Sequence, residues 1–362
     1  MKEIQIHLEP SLFSEKERLF ASDEHFRISL FRYETGVAAA RIANARGELL
    51  VLPYLGQILW DAKFDGVRLG MDSMFKMPRP ASSILGTYGC LNYHAGLLRN
   101  GVPGDEDDHP LHGELPCAPM DAAWLEFGDS ASGPFVRLVS EYTFAQGFGA
   151  NYVARPSVTL GAGETQFEIG LDAQNLASAP MDLMYLCHLN FAFCEGGRLI
   201  QPAPFTPDRT AVRVKVPSHV IPTPAYLQLL DQLATNPGSM QTLDRADQFD
   251  PEQVFYINRP CKGADGLTHF LMRRPEGDGF TVSFDPDILS HTVRWLYNSG
   301  AQRVAAFALP ATCHPEGYTA EKRKGNVRKL AGGASVAFRV RAGYVDPAAA
   351  SALEKQIGDS SR

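Results

Sequence analysis

Histidine and carboxylate set among apolar, strand-like residues mark three places where this chain can do acid–base chemistry. The first begins at Thr87-Tyr88-Gly89-Cys90-Leu91-Asn92-Tyr93-His94 and continues, after an acidic loop, as His109-Pro110-Leu111-His112-Gly113-Glu114-Leu115-Pro116. With His112–Glu114 extended, His112 and Glu114 share one face, and the glycine between them lets a ligand approach the backbone. Three readings stand here. The segment is a sugar- or acid-binding edge, or a metal site built from His94, His109, His112 and Glu114 against the awkward geometry of Pro110, or it holds a hydrogen-bonded turn histidine. The second place is Met184-Tyr185-Leu186-Cys187-His188-Leu189-Asn190-Phe191. His188 and Asn190 lie two apart on an apolar strand, so they face one side, and both need partners if buried. The third is Phe307-Ala308-Leu309-Pro310-Ala311-Thr312-Cys313-His314-Pro315-Glu316-Gly317-Tyr318, a strand running into a loop that presents His314 and Glu316. Rigid β scaffolds commonly carry reactive groups on such loops. Glu321 follows, and the basic run Lys322-Arg323-Lys324 after it reads as solvated surface.

Several chemistries lose their motif. The chain has no phosphate-cradling Gly-x-x-x-x-Gly-Lys, no Gly-x-Gly-x-x-Gly, no Gly-x-Ser-x-Gly elbow and no His-Glu-x-x-His. A net charge of −7 argues against a phosphate backbone as main partner, because nucleic-acid binders carry a basic face. No apolar run reaches the roughly 18 residues of a membrane span, and Met1–His7 lacks the apolar block of a signal peptide. A cytoplasmic protein is expected. Its six cysteines contain no Cys-x-x-Cys pair and read as buried thiols.

The elements that must hold these groups are strands. Period-two alternation broken by turns recurs at Phe26–Leu30, Gln57–Phe64, Phe135–Phe144, Ser157–Leu160, Gln166–Leu171, Ala211–Val216, Thr281–Phe284, Thr292–Tyr297, Val304–Leu309 and Ser335–Val340. Asp65-Gly66 before Val67-Arg68-Leu69 is a hairpin signal, since both turn positions need positive φ. Gly and Pro make up about 16% of the chain against roughly 12% on average, which favours many turns over long helices. Helical signals are confined to Ser14–Phe20, to Ala225–Ala234 with Tyr226, Leu229, Leu230 and Leu233 on one face, and to the tail from Asp346, where Pro347 follows an N-cap aspartate. Gly101–Pro110 reads as a solvated acidic loop without the ligand spacing of a calcium site. No composition break divides the chain, so a single β domain is expected. N-terminal strands and a short helix occupy residues 1–45, the core 46–345 and a helical tail 346–362.

The order of these segments resembles the galactose mutarotase-like superfamily, in its aldose 1-epimerase-like branch. The resemblance rests on Leu52-Pro53-Tyr54-Leu55-Gly56 with Ile58, Trp60 and Asp61, and on Gly89-Cys90-Leu91 leading to Leu111-His112-Gly113. His188-Leu189-Asn190 and a closing strand–loop with Gly325 and Gly332-Gly333 complete it, so that it spans roughly residues 40 to 345. It implies an all-β fold, a large antiparallel β-sandwich with a sugar-sized cleft across one sheet. It also implies interconversion of the anomers of a free sugar without a cofactor: a carboxylate takes the anomeric hydroxyl proton while a histidine protonates the ring oxygen, each contributing roughly 10²–10⁴-fold. By motif, His188 is then the acid and His112 holds sugar hydroxyls, with His94, Glu114, Asn190, His314 and Glu321 as further sugar contacts.

The base is where this chain departs from the pattern. The segment matching the superfamily's catalytic strand is Phe307–Thr312, which carries Leu309 and no carboxylate. Glu316 is the expected replacement, ahead of Glu321 and Glu114. Two other readings accompany the isomerase: a carbohydrate-binding or sensing protein that kept the cleft and lost the base, and a metal-assisted sugar isomerase or lyase using His94, His112 and Glu114. Trp60, Tyr93, Trp295 and Tyr297 are candidate stacking surfaces. Long edge strands must be covered, and a homodimer is the base-rate expectation.

Overall fold

The computed structural model describes residues 4–216 and 220–360; Met1–Glu3 and the last two residues of the expected tail lie outside the described residues. Two antiparallel sheets are laid face to face. One has nine strands, in the order Ile4–His7, Ala122–Ser130, Gly133–Ala145, Asn151–Gly161, Gln166–Asn175, Ser335–Val345, Gly279–Phe284, Thr268–Arg273, Arg198–Ile200. The other has fourteen, and its centre runs Gln253–Ile257, His291–Asn298, Arg303–Ala311, Met181–Leu189, Asn92–Leu97, Ile58–Phe64. This is the all-β sandwich expected from the alternation, and the hairpin at Asp65-Gly66 forms with φ of 48° and 83°.

One continuous apolar core fills the space between the sheets. Three aromatic pairs tie them together: Phe64 stacks on Phe167 at 6.3 Å, Tyr185 on Phe338 at 4.5 Å and Phe191 on Phe280 at 5.2 Å. Each such pair is worth about 0.5–1.5 kcal/mol beyond its area burial. The six cysteines are free, with Cys90, Cys117, Cys187 and Cys313 buried. Among the described residues no helix is long and apolar enough to cross a membrane.

The expected helix at 225–234 forms as Pro224–Thr235, capped by Thr223, whose hydroxyl accepts from the Tyr226 N–H at 3.1 Å. The tail helix forms as Pro347–Ser360, with Asp346 accepting from the Ala349 N–H at 2.9 Å. Ser14–Phe20 does not form a helix. Its second half belongs to the edge strand Arg18–Ser22, paired with Arg27–Arg32, because cross-strand hydrogen bonds outweigh a weak local preference. The acidic loop is solvated at Asp105, Glu106 and Asp108, as expected, but not at Asp107. The Asp107 carboxylate is 2% exposed and accepts from the Gly104 N–H and from the N–H and hydroxyl of Thr319, pinning the loop to the helix Tyr318–Lys324.

Candidate active site

The site lies on the outer face of the larger sheet, where loops cover a cavity of about 980 Å³. Strand parity decides what reaches it. On Met181–Leu189, Tyr185 points to the intersheet core and stacks on Phe338, so Leu186 and His188 point the other way, into the cavity. On the neighbouring strand Asn92–Leu97, Tyr93 stacks on His188 at 4.5 Å, which sends His94 to the opposite face. There His94 hydrogen-bonds the Tyr185 hydroxyl at 2.9 Å.

His188 is 3% exposed and held from three sides. The Asn190 amide donates to the Cys90 carbonyl at 3.0 Å, an acceptor only, so its oxygen must face the other way. That oxygen lies 2.9 Å from His188 Nδ1, which therefore carries the proton. Nε2 is left with a lone pair, 3.3 Å from the Tyr88 hydroxyl. Burial, reinforced by the neighbouring His112, pushes the His188 pKa well below 6.5, and the bond to Asn190 only partly opposes this. His188 is thus neutral, in one tautomer.

His112 contacts the His188 ring at 4.9 Å and also lines the cavity. Its Nδ1 faces the Asn100 side-chain oxygen at 3.4 Å, and burial pushes its pKa down to about 3. The segment is not extended, as the sequence suggests: His112 has φ 63° and Gly113 φ 86°. A Cβ at Gly113 would stand 2.1 Å from the Arg99 carbonyl oxygen, so the glycine admits this chain's own backbone where a ligand was expected. The left-handed turn separates the two side chains. Glu114 turns away, and one of its oxygens accepts from the N–H groups of Leu97 and Leu98 and from the Tyr152 hydroxyl, at 2.8–2.9 Å.

Two carboxylates do line the cavity, Asp250 and Glu252, and Glu252, just before the strand Gln253–Ile257, is the one held by an arginine and an indole. Arg213 donates to one of its oxygens at 2.7 Å and the Trp295 indole N–H to the other at 2.5 Å. Its backbone carbonyl accepts from the Tyr226 hydroxyl at 2.6 Å, so the helix Pro224–Thr235 sets its position. The Trp295 ring lies 5.8 Å from His188 and 5.7 Å from Tyr88, bridging the carboxylate to the histidine. Nothing in local sequence marks Glu252; only strand pairing brings Val254 beside Trp295.

Of the remaining histidine and carboxylate candidates, His109 lines the cavity and the others stand beyond its wall. Glu316 accepts from the Tyr256 hydroxyl at 2.5 Å and from Lys324 at 2.7 Å, and these donors hold its carboxyl below the usual range against the opposing effect of burial. His314 stacks on Tyr256 at 3.9 Å. Glu321, fully buried, accepts from the His314 N–H, Lys324 and Asn326 at 2.7–2.9 Å. Among the described residues no three His, Cys, Asp or Glu side chains are grouped to hold a metal, and His94, His112 and Glu114 point in three directions. Trp295 and Tyr297 line the cavity, as does Leu309, the residue standing where the resemblance leads one to expect the base.

A family profile described as a domain of unknown function, DUF4432, matches residues 34–343. A search of curated proteins found no match. Among solved structures, a Klebsiella pneumoniae protein named as a presumed aldose 1-epimerase is 18% identical over 100% of this chain and 96% of its own, with a TM-score of 0.77. A galactose mutarotase-like protein from Clostridium acetobutylicum is 12% identical over 90% of this chain and 100% of its own, with a TM-score of 0.57. A galactose mutarotase related enzyme from Lactobacillus acidophilus is 11% identical, covers 85% and 98%, and has a TM-score of 0.53. At these identities the likeness establishes the fold, which is galactose mutarotase-like.

Proposed function

The chain belongs to the DUF4432 family and has a galactose mutarotase-like fold, and we propose that it interconverts the anomers of a reducing sugar through His188, with Glu252 as the supporting carboxylate. One observation carries this reading: a neutral cavity-lining histidine locked by Asn190, its unprotonated Nε2 beside the Tyr88 hydroxyl, facing an arginine-held carboxylate across Trp295. Nε2 takes the proton from the anomeric hydroxyl. The imidazolium so formed gives that proton to the ring oxygen as the C1–O5 bond breaks. Both oxygens are bonded to C1, so one nitrogen serves both. Rotation about C1–C2 and the reverse transfers close the ring on the other face, with no net proton gained or lost. Glu252 stabilises the transient imidazolium and, with His112, accepts hydrogen bonds from sugar hydroxyls. This differs from the two-residue scheme implied by the superfamily resemblance, because burial disfavours an imidazolium at rest.

The test is NMR exchange between anomers over a panel of aldoses. Wild-type protein accelerates exchange of at least one sugar, His188→Ala abolishes the acceleration, and Glu252→Gln lowers it by about 10²–10³, the size expected for one preorganised electrostatic partner. Sugar binding measured by calorimetry without any acceleration would refute the isomerase and leave a binding protein, the reading that Leu309 favours.

A further inference from the structure

The cavity floor is divided. His188, Glu252 and His112 form a polar end, and beside it Leu186, Leu309, Val293 and Val254 form an apolar stripe. The stripe is continuous across four strands. Leu186 pairs with Ala311, two residues from Leu309; Leu309 pairs with Val293; and Val293 lies two residues from Trp295, the partner of Val254. Three further apolar side chains of the lining, Met74, Leu85 and Ile221, are 58%, 64% and 89% exposed, so apolar surface also rims the opening. A volume of about 980 Å³ is at the upper end for a small-molecule site, which leaves room beyond one pyranose ring. A fully hydroxylated sugar lying on the stripe would lose water from hydroxyls that find no partner there, a loss that a hydrocarbon group does not incur.

Building on the anomer-exchange reading, we infer that this cavity selects a reducing sugar carrying an apolar substituent in place of a non-anomeric hydroxyl. The anomeric end sits over His188 and Glu252, and the apolar group lies on the Leu186–Leu309–Val293–Val254 stripe.

The experiment compares kcat/KM for anomer exchange among a free hexose, its 6-deoxy counterpart and the same hexose benzylated on a non-anomeric oxygen, with calorimetric binding of each. The expected result is at least a tenfold preference for a member bearing the apolar group, the scale that apolar pockets achieve. Val293→Thr, or Val254→Thr should the first not fold, shrinks that preference by about tenfold. Equal kcat/KM across the panel overturns the inference and leaves the isomerase standing. Tighter binding of the apolar sugar without acceleration keeps the inference and overturns the isomerase. No binding of any member overturns both.

Discussion

Asn190→Ala removes both hydrogen bonds that select the His188 tautomer. The Cys90 carbonyl, fully buried, loses its donor at 3.0 Å, and His188 Nδ1 loses its acceptor at 2.9 Å. Each buried group left without a partner costs about 1–3 kcal/mol, so the folded state should lose about 2–6 kcal/mol in equilibrium urea unfolding. The catalytic effect is separate. Without Asn190 the imidazole can carry its proton on Nε2, and that form accepts nothing from the anomeric hydroxyl. Loss of the orienting partner of a catalytic histidine costs up to about 10⁴ in kcat, so exchange should fall by about 10²–10⁴ at a temperature where the variant remains folded. Urea unfolding and NMR exchange on the same preparation keep the two effects apart. A variant that loses stability yet keeps kcat within tenfold of wild type would show that the tautomer does not matter to turnover, and the role given to Nε2 would fall.

Three further outcomes follow from the same geometry. Because the neutral imidazole is the working form and burial lowers its pKa, kcat should stay level as pH falls through the range where an ordinary histidine titrates, and decline only well below 6.5; an inflection near 6.5 would contradict this. Glu114→Ala leaves two backbone N–H groups and the buried Tyr152 hydroxyl without their shared acceptor, so unfolding free energy should drop by about 3–9 kcal/mol. Sugar affinity should change little in that variant, and calorimetry checks it. Glu316→Gln keeps an acceptor for Tyr256 and gives up only the partly exposed pair with Lys324, so kcat should remain within a few-fold of wild type. Its complete loss of activity would return the base to Glu316.

The all-β class, the Asp65-Gly66 hairpin and the two capped helices were legible in the chain because period-two alternation, turn residues and caps are local properties. The same alternation put His188 and Asn190 on one face, and there they share a direct hydrogen bond. Local pattern cannot say which face of a strand meets the core. One residue of parity puts Tyr93 against His188 and buries His94 behind it. Nor can it foresee a left-handed turn that parts His112 from Glu114. Glu252 reaches the cavity only because strands about forty residues apart in sequence pair there, with an indole of the pairing strand and an arginine from a third segment holding its oxygens. Chain chemistry supplied the histidine and its asparagine; tertiary pairing chose the carboxylate that faces them, because proximity across a sheet depends on register and not on sequence spacing.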